Sequence, residues 1–368
     1  MRTIKNVDDK VIHMQMKFYT LLCILPLLGL LASCKVDFNP NGTWQEIPAV
    51  YCLLDQDDDT TFVRVQKCYL GEGNSYDYAK ILDSINYPEG RIGVYLQEWN
   101  ATGWQDSNAN LVAVGSAPVR TFQFAYAEVQ KDSGLFNSER QPLYYYVTKG
   151  LLDSTRLYRL VVVDNANGDT LATATTSLLR GKIKLKKPNS NVIFNFNNNG
   201  VCESIWSAMG GARRYQPSIR FFYNDFKIDS SQGDFDTIYT PKHVDILFDW
   251  QKSSMDSRTI TYYFSQSRFL TTIKHALAND AHDKRLVDSV DISIRCCDEK
   301  MVQYLHSHEL NNGINQSDYS YTNIDGGIGI FASRRTHLTF TVPAPVYMSN
   351  YVRNLDSLNV GFNGHFGR

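Results

Sequence analysis

The feature that most constrains the fold is a series of short segments in which apolar and polar residues alternate. In segment 91–99, for example, Ile92, Val94 and Leu96 share one face with Glu98. A period of two, broken by turn residues, predicts half-buried strands. Seven such segments occupy the first half of the chain: 49–54, 61–69, 91–99, 120–129, 143–148, 157–164 and 170–177. This number and spacing predict an immunoglobulin-like β-sandwich.

Two connections in the first half are predicted to be turns between neighbouring strands. The acidic segment 55–60 is predicted to be a hairpin loop, and 165–169 is rich in residues that accept a positive φ. The polar stretch between Leu70 and Gly90 is too irregular to assign.

The second half predicts another β-rich domain, beginning after a basic segment at 182–188. Trp206, a short glycine turn, Tyr215 and an alternating strand resemble the region around strands B and C of fibronectin type III modules, so Trp206 is expected in the core. The predicted strands are 192–197, 202–209, 218–225, 244–251, 259–264, 287–296, 328–331 and 336–342. The fold class is therefore mainly β, with two β-sandwich domains.

Two short helices are predicted to interrupt the strands of the second domain. Ser267 is expected to cap the first, whose apolar stripe is Phe269, Leu270, Ile273, Ala276 and Leu277. Asp298 is expected to cap the second, which contains Met301, Val302, Tyr304 and Leu305.

The N-terminus predicts a lipoprotein signal. Residues 18–31 form an apolar run, too short to span a membrane, that suits the apolar region of a signal peptide. Leu31-Ala32-Ser33-Cys34 follows it and resembles a bacterial lipobox, so Cys34 is the predicted lipid attachment site. Asp8 and Asp9 are unusual in a signal peptide, which favours Met16 as the true start.

These patterns divide the chain into five segments. They are a signal peptide at 1–33, a tether at 34–48, an immunoglobulin-like domain at 49–188, a fibronectin III-like domain with helical insertions at 189–345, and a tail at 346–368. The predicted location is the outer membrane, reached through the lipid. Whether the chain faces the periplasm or the cell exterior is left open.

The net charge and the cysteine content limit which partners and which cysteine-based sites the chain can have. The net charge is −1, which gives no electrostatic reason to expect a nucleic-acid partner. Beyond Cys23 and Cys34, five cysteines remain: Cys52, Cys68, Cys202, Cys296 and Cys297. Cys52 and Cys68 are equally well explained as a disulfide or as two free thiols. No pair has Cys-x-x-Cys spacing.

The chain contains several candidate sites, each with an ordinary explanation beside the functional one. The acids Asp55, Asp57, Asp58 and Asp59 can collect Ca²⁺, although the loop lacks the glycine and glutamate of an EF-hand, or can be a solvated hairpin. His306 and His308 can chelate a metal from a strand, or lie at a helix terminus. Gly326-Gly327-Ile328-Gly329 is better explained as a tight β-turn or close packing than as a phosphate loop.

Aromatic residues of the first domain are the remaining candidates. Tyr76, Tyr78, Trp99 and Trp104 can stack against sugars or pack on a sheet face. Since no Gly-x-Ser-x-Gly motif or other catalytic constellation occurs, no catalytic, cofactor-binding or metal-binding residue is assigned, and no cofactor is expected.

Segment 288–310, followed by the stretch Asn-Ile-Asp-Gly-Gly-Ile-Gly-Ile-Phe at 323–331, resembles a family of Bacteroidota lipoproteins of unknown function. Members have an immunoglobulin-like N-terminal domain and a larger β-rich C-terminal domain. The resemblance implies an envelope location and a role beside outer-membrane transporters of the TonB-dependent type, and it implies no catalytic residues. A non-catalytic binding or accessory role is therefore predicted, with a fimbria-type subunit or an envelope hydrolase as alternatives.

Overall fold

The computed structural model describes residues 46–69, 74–102, 111–130, 140–188, 194, 196–229, 236–252, 258–278, 284–310, 321–336, 339–343, 358 and 362. The strands in these ranges are β1 Pro48–Leu54, β2 Thr60–Lys67, β3 Ile92–Thr102, β4 Val112–Val114, β5 Arg120–Gln123, β6 Ala125–Val129, β7 Gln141–Val147, β8 Leu157–Asp164, β9 Thr170–Ser177, β10 Leu185–Lys187, β11 Val201–Ser207, β12 Arg214–Asp229, β13 Asp236–Leu247, β14 Gln251–Lys252, β15 Thr259–Ser265, β16 Lys284–Cys297, β17 Ile328–Arg335 and β18 Thr339–Pro343. The helices are α1 Ser75–Ala79, α2 Leu82–Ile85, α3 Gln266–Leu277 and α4 Glu299–Leu310.

The first half of the chain forms a β-sandwich. One layer has the strand order β1-β2-β7-β6, and the other has the order β4-β3-β8-β9 with β5 also paired to β3. Val63 and Leu54 from the first layer and Leu96 and Leu160 from the second share one apolar core. The predicted alternation in 91–99 is confirmed, because Ile92, Val94, Leu96 and Glu98 are all buried.

The second half forms another sandwich with its own core. A sheet containing β13, β12, β16 and β18 packs against the three-stranded sheet β10-β11-β15 and helix α3. Trp206 is fully buried in this core with its ring centroid 6.1 Å from that of Tyr215, as expected. The fold class is mainly β, with two β-sandwiches.

Strand β17 joins one layer of each sandwich into a single ten-stranded sheet. It pairs in parallel with β1 over six residue pairs, from Ala49–Ile328 to Leu54–Ser333. At its far end it pairs with β16 through Arg334 and Arg335. Leu178 is buried in the core of the first sandwich and Leu179 in the core of the second. Farther along the chain, Ile324 and Phe331 are again part of the first core. The division at residue 188 stays a prediction.

Both predicted helices form, with one correction to the first. Its N-cap is Ser265 rather than Ser267, because the Ser265 hydroxyl accepts from the Arg268 N–H at 3.4 Å. Phe269, Ile273 and Leu277 are buried, as predicted, whereas Ala276 faces solvent. The second helix is capped by Asp298, as predicted, and extends to Leu310.

Local differences from the predicted elements have clear causes. Segment 120–129 divides at Phe124 into β5 and β6, which pair with different sheets. The unassigned stretch between Leu70 and Gly90 contains α1, which Asn74 caps through its side chain, and α2. Half of the strand predicted at 192–197 lies outside the described residues, and the described residues 194, 196 and 197 are not in a strand.

Candidate functional site

The acidic loop at 55–59 forms the predicted hairpin between β1 and β2, and its carboxylates are paired with cations. The pairs are Asp55–Arg335 at 3.6 Å, Asp57–Arg335, Asp58–Arg334 at 3.6 Å and Asp59–Lys149 at 3.0 Å. Asp55 also accepts from the Thr336 N–H and hydroxyl at 2.8 and 2.9 Å. Burial raises the pKa of Asp55, and the Asp57 and Thr336 hydrogen bonds oppose this. The loop therefore ties β1 to the end of β17, and each of its four carboxylates already has a cationic partner.

The two histidines lie in helix α4, not in a strand. Two residues correspond to about 200° around a helix, so the side chains diverge. The ring of His308 packs against Tyr304 in a tilted arrangement with a centroid distance of 4.2 Å, and its Nδ1 lies 2.9 Å from the Tyr304 carbonyl. Within the ranges that the structure describes, no three potential metal ligands come together.

All five cysteines beyond Cys34 are free thiols. This resolves the open choice for Cys52 and Cys68 in favour of two thiols. Cys296 and Cys297 are buried, and Cys296 contacts the Met209 sulfur at 3.7 Å. Burial raises the pKa of Cys297 to about 12, so this thiol is neutral at physiological pH. These residues act as small core side chains.

The glycine-rich segment forms the start of β17 and packs tightly against neighbouring backbone, as predicted. Gly329 has a φ of +114°, and a Cβ atom there would lie 2.0 Å from the Val50 carbonyl oxygen. At Gly326 and Gly327, a Cβ atom would lie 2.5 Å from the Leu171 and Pro48 carbonyls respectively. No helix follows the segment, so it lacks the geometry of a phosphate loop.

The aromatic candidates that the structure describes, Tyr76, Tyr78 and Trp99, do not form one cluster. Tyr76 is exposed in α1, and Tyr78 stacks on Tyr69. Trp99 lies in β3 and lines a groove of about 450 Å³ together with Arg159 and Asp325. Trp104 lies outside the described residues. Trp99 is the one aromatic side chain among the described lining residues of this groove, which makes it a weak platform for a sugar.

The site with the most distinctive chemistry is a groove of about 320 Å³ between helix α4 and the outer face of β17, β1 and β2. Its floor is a row of side chains across three strands, in which Ile330 is paired with Tyr51 and Tyr51 with Arg64. The wall is formed by Met301 and Tyr304 of the helix. The rest of the lining is Cys52, Leu53, Asp58, Thr60, Phe62, Leu143 and Arg334. We call this cavity the α4 groove.

Two arginines give the α4 groove a positive charge. Nε of Arg64 is buried without a hydrogen-bond partner, and the described residues form no ion pair with Arg64. Burial lowers the pKa of this guanidinium. Arg334 also has an unpartnered Nε, and its contact with Asp58, at 3.6 Å, is longer than a hydrogen bond.

The wall of the groove is held by contacts between the two tyrosines. The rings of Tyr51 and Tyr304 meet edge to face, with centroids 6.4 Å apart. Burial and a hydrogen bond with Tyr51 raise the pKa of Tyr304 to about 12. Both phenols are in place to keep the helix at a set distance from the sheet, which leaves the groove open beside them.

The α4 groove could not have been located by local sequence signals. Arg64 follows the period-two pattern of an ordinary outward-facing residue, and Met301 and Tyr304 read as a helix stripe. The sequence holds one local sign of a binding surface here. In β2 the apolar residue Phe62 shares a strand face with the charged residue Arg64, because the two are separated by two positions. Only the pairing of β1 with β17 brings the helix beside these residues.

The predicted lipid site at Cys34, the signal peptide and the tether up to residue 45 lie outside the described residues. No helix in the described ranges is both long and apolar enough to cross a membrane.

No protein-family model and no curated protein matches this chain. Among solved structures, the calcium binding domain CBD12 of CALX1.1 is similar at 12% identity, covering 71% of this chain and 86% of its own, with a TM-score of 0.16. CBD12 from CALX1.2 is similar at 8% identity, covering 78% of this chain and 100% of its own, with a TM-score of 0.14. Superpositions this poor carry no conclusion about the site.

Proposed function

We propose that this chain is a lipid-anchored protein of the outer membrane with a non-catalytic binding or accessory role in an outer-membrane transport assembly. The observation that carries the proposal is the apolar run at 18–31 followed directly by Leu31-Ala32-Ser33-Cys34. The lipid on Cys34 would hold the two sandwiches at the membrane, where sandwich loops, sheet edges and grooves are available for a partner.

One acid in a described cavity, Asp245, lacks the environment that a general acid in hydrolysis needs. A cavity of about 380 Å³ on the second sandwich contains Asp245 beside Arg220. Arg220 donates two hydrogen bonds to Asp245, at 2.6 and 2.9 Å, and these hold the pKa of Asp245 below its usual range. A general acid in glycoside hydrolysis needs a raised pKa, which is the opposite arrangement.

The fimbria-type alternative requires a terminal strand that leaves its own domain. Phe362, in the tail, is buried in the second core with its ring 5.8 Å from Phe221 and 6.0 Å from Tyr223. This anchoring favours a tail that belongs to its own sandwich. Ladders that resist SDS would support the fimbrial alternative instead.

Lipidation is tested by growing cells with radiolabelled palmitate and comparing wild type with Cys34→Ser. The wild-type chain is expected to be labelled and to sediment with outer membranes, whereas Cys34→Ser is expected to lose both properties. Cys68→Ser is the matched control, since it removes a half-exposed thiol without touching the lipobox. Label that persists in Cys34→Ser would contradict the proposal.

The accessory role is tested by crosslinking intact cells, purifying the chain through a C-terminal tag and identifying the bound proteins by mass spectrometry. Stoichiometric recovery of one outer-membrane barrel is expected. Recovery of the chain alone, with lipidation intact, would overturn the accessory role and leave the anchor standing.

A further inference from the structure

We propose that the α4 groove binds an organic carboxylate that carries an apolar aromatic or aliphatic group, with Arg64 and Arg334 holding the carboxylate. This inference goes beyond the role proposed above and does not depend on the lipid at Cys34.

The positive charge of the groove is not compensated by the chain itself. Two guanidiniums line the cavity and Asp58 is the one carboxylate among its described lining residues, so the lining carries an excess of one positive charge. Burying an unpaired guanidinium costs free energy, which an anionic ligand would recover. Arginine stays protonated at physiological pH, so this excess is permanent.

The geometry of the two arginines suits a carboxylate. Arg64 extends from β2 and Arg334 from β17, on either side of β1, so they approach the cavity from two directions. The buried Nε atom of each has no hydrogen-bond partner. Guanidinium N–H groups form short charge-assisted bonds to carboxylate oxygens, and two arginines can hold both oxygens.

The remainder of the cavity suits an apolar body rather than a second polar group. Phe62 is 53% exposed on the sheet face, although a phenyl ring is costly to leave in water. Ile330, Leu143 and Met301 complete the apolar lining. A volume of about 320 Å³ lies at the small end of ligand pockets, so one ring or a short chain fits.

Two sources can supply this chemistry: a free carboxylic acid, or the C-terminal carboxylate of a polypeptide that ends in an apolar residue. Both present one carboxylate next to one apolar group. The experiment therefore includes a probe for each source, with a neutral analogue of the same shape.

The test is isothermal titration of the intact chain in detergent micelles, which keep it in solution whether or not Cys34 carries a lipid, with micelles alone as the blank. The first pair of probes is 3-phenylpropionate and 3-phenylpropanol, and the second is an acetylated tripeptide ending in phenylalanine with a free or an amidated C-terminus. At least one carboxylate is expected to bind about tenfold or more tightly than its neutral partner, the ratio that one charge-assisted hydrogen bond supports. If only 3-phenylpropionate binds more tightly than its neutral partner, the ligand is a free acid. If only the tripeptide with a free C-terminus does so, the ligand is a polypeptide C-terminus.

Arg64→Met is expected to weaken carboxylate binding about tenfold or more while leaving the melting temperature unchanged or higher, because it removes an unpaired, half-buried charge. Arg159→Met is the matched control, since Arg159 is an exposed arginine on β8 that lines the separate Trp99 groove. It is expected to leave binding unchanged.

Three results would overturn the proposal: no carboxylate binding by the wild-type chain, equal binding of acid and neutral analogue, or equal losses in the Arg64 and Arg159 variants. A fall in the melting temperature of Arg64→Met with binding retained would assign Arg64 a structural role instead. None of these outcomes bears on palmitate labelling of Cys34, so failure here is distinct from failure of the lipid anchor.

Discussion

Gly329 allows two strands that are far apart in the sequence to pair. It adopts a φ of +114°, which side-chain-bearing residues rarely do, and its Cα faces the backbone of Val50 in β1. The space there admits a hydrogen atom and nothing larger. The parallel pairing of β1 with β17 therefore depends on the absence of a side chain at one position.

Gly329→Ala is expected to destabilise the chain by about 3 kcal/mol or more, since it combines backbone strain with a clash against the Val50 carbonyl. Gly168→Ala is the matched control: Gly168 also has a positive φ, of +79°, but a Cβ atom there meets nothing within 4 Å. It is expected to cost about 1 kcal/mol. Urea unfolding measures both, and equal losses would show that φ strain alone matters.

At the scale of the element, one buried carboxylate joins the start of helix α4 to strands β9 and β17. Asp298 Oδ1 accepts from the Met301 N–H at 2.9 Å and caps the helix, while Oδ2 accepts from the Ser333 N–H at 3.0 Å and from the Thr176 hydroxyl at 3.3 Å. Burial raises its pKa, and these hydrogen bonds and the charge of Lys300 oppose that shift. The core contacts of Asp298 thus help to position the helix that walls the α4 groove, together with the Tyr304–Tyr51 contact and the Arg214–Glu309 ion pair at 3.2 Å.

Asp298→Ala is expected to cost about 2–4 kcal/mol, because a cap is lost and buried donors from β17 and β9 are left without an acceptor. Ser265→Ala, which removes the exposed cap of α3, is the comparison and is expected to cost about 1 kcal/mol or less. Denaturant unfolding of the two variants gives the difference. Equal costs would mean that Asp298 acts only as a helix cap.

At the scale of the whole molecule, buried tyrosines are expected to make the free energy of unfolding decrease at alkaline pH. Burial raises the pKa of Tyr144 to about 12, and it also raises the pKa of Tyr158 and Tyr215. The unfolded chain loses its phenolic protons near pH 10, while the folded chain keeps them. The stabilisation from these tyrosines is therefore complete below pH 10 and declines as the pH rises toward 12.

We expect the free energy of unfolding to fall steadily between pH 10 and pH 12, with phenolate absorbance of the buried tyrosines appearing only as the chain unfolds. Tyr144→Phe is the test variant, because the Tyr144 hydroxyl is buried without a hydrogen-bond partner. Its stability should decline less over this range, by roughly 2 kcal/mol for a two-unit difference in pKa. If the free energy of unfolding of Tyr144→Phe fell with pH as steeply as that of the wild type, Tyr144 would not contribute to the pH dependence.

Much of the fold could be predicted from the sequence because its causes are local. Strand periodicity identified Leu157–Asp164 and Thr170–Ser177 to the residue. Trp206 was recognised as a core residue, and Asp298 as a cap, from their immediate neighbours. The N-cap of α3 was misplaced by two residues because serine occurs at both 265 and 267, and only the chain direction at the end of β15 selects between them.

The sequence by itself predicted most strands of both sandwiches and helices α3 and α4, since each depends on side chains within a few residues of one another. The lipobox-like segment at 31–34 and the anchor stay predictions. The tertiary structure decided what the acids at 55–59 do and where the α4 groove lies. Both depend on the pairing of β17 with β1. These strands are far apart in the sequence, and a periodic pattern within one segment cannot predict which distant strand it pairs with. Arg334 and Arg335 pair with Asp55, Asp57 and Asp58 because β17 lies beside β1. The same pairing places Arg64, Arg334 and helix α4 around one cavity.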